Sequence, residues 1–115
     1  MNAAKNRSFT LHDLAARVKE RAGAKAKDSY TRQLLDQGVA HCAKKLGEEA
    51  VETALAAMGK DRGKLIAEAA DLLYHLLVVL EARGVTLAEV EAALGKRTAK
   101  SGLAEKASRR RQRSR

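Results

Sequence analysis

The sequence has no proline, no tryptophan and few other aromatic residues, with two tyrosines and one phenylalanine among its 115 residues. Strands are usually built from β-branched and aromatic runs, which this composition does not supply. Alanine and leucine recur at helical spacing instead. The sequence therefore predicts an all-α fold, an antiparallel bundle of four to five helices. Because small domains commonly pair with a second copy, we also expect a homodimer.

Cysteine is almost absent, since Cys42 is the only one. A single thiol cannot form an intramolecular disulfide or a cysteine-rich metal site. The N-terminal stretch lacks the apolar segment of a secretion signal. The longest uncharged run in the middle of the chain, 72–80, is far shorter than the roughly 20 residues that span a bilayer. We therefore expect a cytoplasmic protein with no membrane partner.

Acidic residues are scarce near the C-terminal end. Residues 96–115 hold nine of the 23 basic residues and one of the 14 acidic residues, so they carry +8 of the net charge of +9. We expect 1–95 to form the folded domain and 96–115 a basic extension, of which 111–115 is disordered because its like charges repel. The nearly neutral domain gives no reason to expect specific nucleic-acid binding. A non-enzymatic helical module that binds RNA or protein through its basic end is an alternative.

Capping residues, glycines and apolar spacing together predict five helices. They cover 11–22, 30–37, 39–58, 61–83 and 87–96. The lysine-rich stretch GAKAKD breaks the pattern between the first two.

The helix over 39–58 carries three acids in the stretch AKKLGEEAVETALAAMG. At about 100° per residue, Glu48, Glu49 and Glu52 fall within an arc of about 100°, and Lys45 lies among them. The opposite face is apolar and is expected to pack through Val39, Leu46, Ala50, Ala54 and Ala57. Taken alone, this pattern is explained better by a solvated face with Lys44–Glu48 and Lys45–Glu49 pairs than by a binding site.

The following helix favours a binding site. Its stretch LIAEAADLLYHLLVVL is apolar on nearly every face and predicts a helix surrounded by protein. Glu68, Asp71 and His75 nevertheless share an arc of about 60°, and the nearest basic residue on this helix is Lys64. Because a buried charge without a partner is costly, these acids require a basic side chain from another segment or a metal ion. His75 fits a partner of these acids, a contact to substrate or a hydrogen-bonded structural histidine.

The short connection 59–61 makes the two helices antiparallel, so Glu49 and Glu52 can face Glu68 and Asp71. Four carboxylates form an all-oxygen site that suits Mg²⁺ or Mn²⁺ rather than Zn²⁺. Such an ion holds polyphosphate oxygens, neutralises developing charge and activates water. The pattern therefore predicts hydrolysis of a nucleotide phosphoanhydride.

The E-E-x-x-E and E-x-x-D pair resembles that of the all-α nucleotide pyrophosphohydrolases, which include the MazG-like enzymes and dimeric dUTPases. More narrowly, the chain looks like the phosphoribosyl-ATP pyrophosphatases in the stretches DSYTRQLLDQG, AKKLGEEAVE, EAADLLYHLLVVLEARGVTLAEV and SGLAEKASR. The resemblance spans 9–110. It implies an α-helical dimer that hydrolyses phosphoribosyl-ATP to phosphoribosyl-AMP and pyrophosphate with Mg²⁺, the second step of histidine biosynthesis. A house-cleaning nucleoside triphosphate pyrophosphohydrolase of the MazG-like type is the alternative.

The resemblance also implies roles for individual residues. Metal ligation falls to four acids, which are Glu49, Glu52, Glu68 and Asp71. Glu48 is either a further ligand or the base that orients water, so the catalytic set is Glu48, Glu49 and Glu52. Substrate binding is expected of the residues Ser29, Tyr30, Thr31, Lys45, Lys106 and Arg109. Ser29 fits a helix cap equally well.

Overall fold

The computed structural model describes residues 8–99 and 102–114. These residues form six α-helices and one short 3₁₀ turn and contain no strand, which confirms the all-α prediction. The helices are α1 (Leu11–Ala22), α2 (Tyr30–Asp36), α3 (Val39–Met58), α4 (Arg62–Ala82), α5 (Leu87–Thr98) and α6 (Gly102–Ser114). The chain divides into two compact units, Met1–Val85 and Thr86–Arg115. The predicted boundary after residue 95 stays a prediction.

The helix ends follow from local capping. The side chains of Thr10, Asp61 and Thr86 each accept a hydrogen bond from the backbone N–H three residues further on, which satisfies a free donor of the first turn. Gly38 separates α2 from α3 with a φ of 94°, and Gly84 follows α4 with a φ of 68°. Glycine adopts such positive φ angles more readily than other residues, so the chain can leave the helical conformation at these two positions. Both helix boundaries lie close to their predicted positions.

The first unit is built on the antiparallel pair α3 and α4, which are joined by residues 59–61. Helix α1 packs against α2 and α4, and α2 also contacts α3 and α4. One small core forms where these helices meet, and its buried side chains are Val18, Leu34, Cys42, Ala56, Leu77 and Val78. The Cys42 thiol donates a hydrogen bond to the carbonyl oxygen of Leu34 at 3.2 Å, and burial raises its pKa.

The face of α3 that packs differs from the predicted one. Four of the five apolar residues expected to pack are exposed, and only Leu46 is partly buried. The buried and half-buried positions of α3 are His41, Cys42, Lys45, Leu46, Glu49, Thr53 and Ala56. At about 100° per residue this face is centred close to Glu49. Glu49 therefore points toward α4, whereas its neighbours Glu48 and Glu52 lie on the exposed flank.

Apolar side chains remain exposed on both long helices. The large ones are Val39, Val51, Leu55 and Met58 on α3 and Ile66 and Leu73 on α4, with Met58 86% exposed. The prediction that α4 is surrounded by protein is therefore not met by the single chain. Across the part of the chain that the structure describes, no helix is long and apolar enough to cross a membrane.

In the second unit, the structure differs from the expectation of disorder for 111–115. It describes Gly102–Ser114 as one helix, α6, which was not among the five predicted. Arginine is a good helix former, and basic residues in the last turn, here Arg111 and Arg113, interact favourably with the helix dipole. Charge repulsion alone therefore did not predict the helical structure of this segment. Residue 115 lies outside the described residues.

Candidate active site

Three carboxylates meet between the two long helices. Glu49 comes from α3 and Glu68 and Asp71 from α4, and one oxygen of each lies within 4.8 Å of the others. Glu49 and Glu68 are half-buried and Asp71 is exposed. The antiparallel packing brings the two helices together with like charges facing each other, as the spacing of the acids predicts.

The charges of this cluster oppose one another. Burial raises the pKa of Glu68, and the negative charges of Glu49, Glu52 and Asp71 raise it further, while Lys64 has a small opposite effect. A raised pKa means that the ionised form of Glu68 is less favourable here than in water. The cluster therefore favours a positive charge placed among its oxygens.

The donor set fits a hard divalent cation. All three ligating groups are carboxylates, and oxygen ligands suit Mg²⁺ and Mn²⁺, whereas structural zinc sites use cysteine or histidine. Glu49, Glu68 and Asp71 are the residues that could hold such an ion. Glu52 is not a member of this three-oxygen group, although its negative charge contributes to the raised pKa of Glu68. Its predicted role as a ligand stays a prediction.

Glu48 lies outside the cluster and forms an ion pair instead. Its Oε1 atom is 3.2 Å from Nζ of Lys45, and its side chain is 49% exposed. The hydrogen bond between Lys45 and Glu48 within this ion pair is the largest cause of the raised pKa of Lys45. The pair joins residues three apart, in place of the predicted pairs four apart. Lys45 is thus held as a cation beside the acids.

The stretch Ser29–Tyr30–Thr31 places its two small hydroxyls inside the protein. Ser29, 3% exposed, caps α2 by accepting from the Arg32 backbone N–H at 3.0 Å, and donates to the Arg21 carbonyl at 2.9 Å. Thr31, 5% exposed, shares a 2.6 Å hydrogen bond with the Tyr74 hydroxyl. The capping role of Ser29 is confirmed, and contact of these two residues with substrate stays a prediction.

Tyr30 is the member of this stretch that is open to solvent. Its ring is 54% exposed and lies nearly parallel to that of Tyr74, with the ring centres 6.4 Å apart. Tyr30 also makes a small contribution to the raised pKa of Lys45. An exposed aromatic ring beside a lysine is a suitable surface for a nucleotide.

His75 is 6% exposed, and its Nδ1 atom has no hydrogen-bond partner among the residues that the structure describes. Burial lowers its pKa, and the charge of Glu49 opposes this effect. The ring meets Tyr74 edge-on with the ring centres 5.0 Å apart. Burial therefore favours the neutral form of the His75 imidazole, and its predicted roles stay predictions.

Thr53 is a residue of this region that the sequence analysis missed. Its hydroxyl donates to the carbonyl oxygen of Glu49 at 2.7 Å and to that of Glu68 at 3.1 Å, so it links α3 to α4 at the cluster. The only sequence sign was a threonine in mid-helix four residues after an acid, a position where the hydroxyl often bonds to the preceding turn.

Lys106 and Arg109 lie on α6 in the second unit, and both are exposed. Their predicted contact with substrate stays a prediction.

The sequence matches the family model of phosphoribosyl-ATP pyrophosphohydrolase over residues 11–98. The chain therefore belongs to this family. It is 67% identical over 101 residues to phosphoribosyl-ATP pyrophosphatase 1 of Bradyrhizobium diazoefficiens, covering 88% of this chain and 95% of that protein. The corresponding protein of Rhodopseudomonas palustris is 63% identical over 103 residues, with 90% and 96% covered. The phosphoribosyl-ATP pyrophosphatase of Paracoccus denitrificans is 54% identical over 99 residues, with 86% and 92% covered.

Membership in this family makes the chain an enzyme, a hydrolase, rather than a non-enzymatic helical module. The matched span begins at α1 and ends at α5, and it includes all three clustered acids. The predicted family resemblance is confirmed.

Proposed function

We propose that this enzyme hydrolyses phosphoribosyl-ATP to phosphoribosyl-AMP and pyrophosphate, the second step of histidine biosynthesis, in the cytoplasm. The observation that carries the proposal is the convergence of Glu49, Glu68 and Asp71 in a chain 67% identical to a protein named for this activity. In this reaction water adds to a phosphorus atom, the phosphoanhydride P–O bond breaks and pyrophosphate leaves.

A divalent cation, Mg²⁺ or Mn²⁺, is part of the proposal. Glu49, Glu68 and Asp71 would hold it, with Glu52 as a fourth ligand from the exposed flank of α3. When bound, the ion neutralises phosphate charge and lowers the pKa of water. The donor set supports this because the carboxylates repel each other and raise the pKa of Glu68.

The residues around the cluster have separate tasks in this proposal. Glu48 accepts the proton of the attacking water as general base, and it is exposed and within reach of solvent. Lys45 binds a phosphate oxygen as a point charge. Tyr30 offers an exposed ring to the adenine base. Ser29 and Thr31, whose hydroxyls are bonded within the protein at the start of α2, are proposed to contribute to the substrate-binding surface beside Tyr30.

Lys106 and Arg109 are proposed to bind substrate phosphates from α6. Both are cations in the stretch SGLAEKASR, which resembles the family motif. Arginine suits this task because its planar group can hold two phosphate oxygens at once.

A homodimer is also proposed. The support is the apolar surface on both long helices, made by Val51, Leu55, Met58, Ile66 and Leu73. Side chains of this size stabilise an assembly when water is removed from them, and monomers rarely expose a large apolar patch.

Pyrophosphate release tests the proposed reaction. The purified enzyme is given phosphoribosyl-ATP, ATP and dUTP in parallel, each with and without Mg²⁺. We expect metal-dependent release from phosphoribosyl-ATP alone. Comparable release from ATP or dUTP would favour the house-cleaning alternative, and release that does not depend on the metal would contradict the role of the cluster.

A further inference from the structure

Thr53 occupies the space between the two acid-bearing helices. It lies on the half-buried face of α3, one turn after Glu49. Its hydroxyl has one hydrogen, which is shared between the carbonyl oxygens of Glu49 at 2.7 Å and Glu68 at 3.1 Å. A carbonyl oxygen has two lone pairs, so each can accept this bond in addition to its helical one. The hydroxyl is thus a bridge between two backbones.

The two carbonyls belong to two of the three clustered acids. The third acid, Asp71, follows Glu68 by three residues on the same helix, so the helix itself fixes their relative position. What the helices alone do not fix is the separation of Glu49 on α3 from the pair on α4. The Thr53 bridge acts on that separation.

A hydrogen bond between α3 and α4 is needed most beside the three clustered acids. One oxygen of each of the three carboxylates lies within 4.8 Å of the others, and like charges at this separation repel one another across the gap between the two helices. A helical threonine does not require a partner on another helix. Thr98 makes two similar bonds, to Leu94 at 3.0 Å and Gly95 at 3.1 Å, within its own helix.

We propose that Thr53 is a positioning residue of the cation site, which sets the spacing between its two halves without touching the ion or the substrate. This inference rests on the proposed function, because it assumes that the cluster binds a divalent cation. Loss of the hydroxyl would leave the ligands in place but wider apart. The variant should therefore bind the ion more weakly and regain full turnover at high Mg²⁺ concentration.

Mn²⁺ binding to the enzyme without substrate tests this, measured by electron paramagnetic resonance of the free ion. Thr53→Val replaces the hydroxyl with a methyl group of similar size, Thr53→Ser keeps the hydroxyl, and Thr98→Val removes the hydroxyl of the comparable threonine. Partners outside the ligand shell typically change metal affinity by about 10-fold to 100-fold, and we expect the Kd for Mn²⁺ to rise by about 10-fold in Thr53→Val. Thr53→Ser and Thr98→Val should keep the wild-type Kd.

The outcomes separate this inference from the one it rests on. If the wild-type enzyme does not bind Mn²⁺, the cation proposal is wrong and the role of Thr53 fails with it. If the wild type binds and Thr53→Val has the same Kd, the role of Thr53 alone is wrong. A lower melting temperature in EDTA with an unchanged Kd would also contradict it, since that is the result of a purely structural hydroxyl. If Thr53→Val does not fold, Thr53→Ala removes the hydroxyl without adding volume and is titrated in its place.

Discussion

Two groups of charges lie side by side on helix α3, and their acids are adjacent in sequence. Glu48 is exposed and forms an ion pair with Lys45 one turn earlier. Glu49 is half-buried and faces two further acids, Glu68 and Asp71, on α4. The first group is neutralised by its own helix, whereas the second gathers like charges from two helices. Glutamate thus forms a surface ion pair at position 48 and is a candidate metal ligand at position 49.

The opposing helix decides the role of each acid. Exposed pairs of residues three or four apart contribute a few tenths of a kcal/mol and require nothing further. A cluster of facing carboxylates opposes folding unless a cation enters it.

The largest effect is expected from Glu49→Gln. It keeps the size of the side chain but removes one charge of the cluster. Because the electrostatic help of a bound ion is worth several kcal/mol, kcat should fall by about 1,000-fold or more. Steady-state pyrophosphate release at saturating Mg²⁺ measures this. Asp36→Asn is the control, since Asp36 lies in an exposed pair with Arg32, and near-normal turnover of Glu49→Gln would contradict the metal assignment.

Glu48→Gln tests the other acid of the comparison. If Glu48 is the general base, kcat should fall by about 100-fold, near the lower end of the range for such groups. The Kd for Mn²⁺ should stay at the wild-type value because the cluster is intact. A variant that loses Mn²⁺ binding instead would show that Glu48 is the further ligand that the sequence also allowed.

The next largest effect is expected from substitutions in the second unit. The double variant Lys106→Ala and Arg109→Ala removes two proposed phosphate contacts, and hydrogen bonds to charged groups contribute about 1.5–3 kcal/mol each. We expect KM for phosphoribosyl-ATP to rise by about 10-fold or more. The matched control is Arg111→Ala with Arg113→Ala, which removes the same charge from the same helix. If both double variants raise KM equally, only net charge matters and the specific assignment is wrong.

The smallest effect concerns the stability of the metal-free enzyme. Since the pKa of Glu68 is raised above its ordinary value of 4.5, the folded state takes up a proton at a higher pH than the unfolded chain. The contribution of Glu68 to stability is complete below pH 4.5 and is lost as the pH rises through the raised pKa. Glu68→Gln should therefore be more stable than the wild type at neutral pH.

Urea unfolding in EDTA at a series of pH values checks this prediction. The difference in the free energy of unfolding between Glu68→Gln and the wild type should shrink as the pH falls toward 4.5. The pKa of His75 is lowered by burial, so its effect on stability has the opposite sign, and the difference between the two proteins cancels it. A difference that does not change with pH would contradict the repulsion.

Much of the fold was predictable because it is encoded locally. The bounds of α1 and α3 follow from Thr10, Gly38 and the apolar spacing, and they match the structure. Helix α6 was missed because a run of arginines was interpreted through its charge and not through its helix propensity. The 3₁₀ turn over Ala26–Asp28 was also missed, since a three-residue turn leaves no periodic pattern.

The candidate site was predictable in part. The spacing of the acids on two antiparallel helices was enough to bring Glu49 to Glu68 and Asp71. The different environments of Glu48 and Glu49 could not be predicted, because they depend on which side of α3 faces α4. Alanines on the predicted face suggested packing there, but the tertiary structure buries the side that carries Glu49. The Thr53 bridge depends on the same orientation and could not be inferred from one helix alone.

Mn²⁺ binding without substrate, compared between the wild type, Glu49→Gln and Glu48→Gln, shows whether the acids between α3 and α4 form a cation site. We expect the wild type and Glu48→Gln to bind Mn²⁺ with the same Kd and Glu49→Gln to bind it at least about 10-fold more weakly. Equal binding by all three proteins, or no binding by the wild type, would contradict the claim that the acids between α3 and α4 form a cation site.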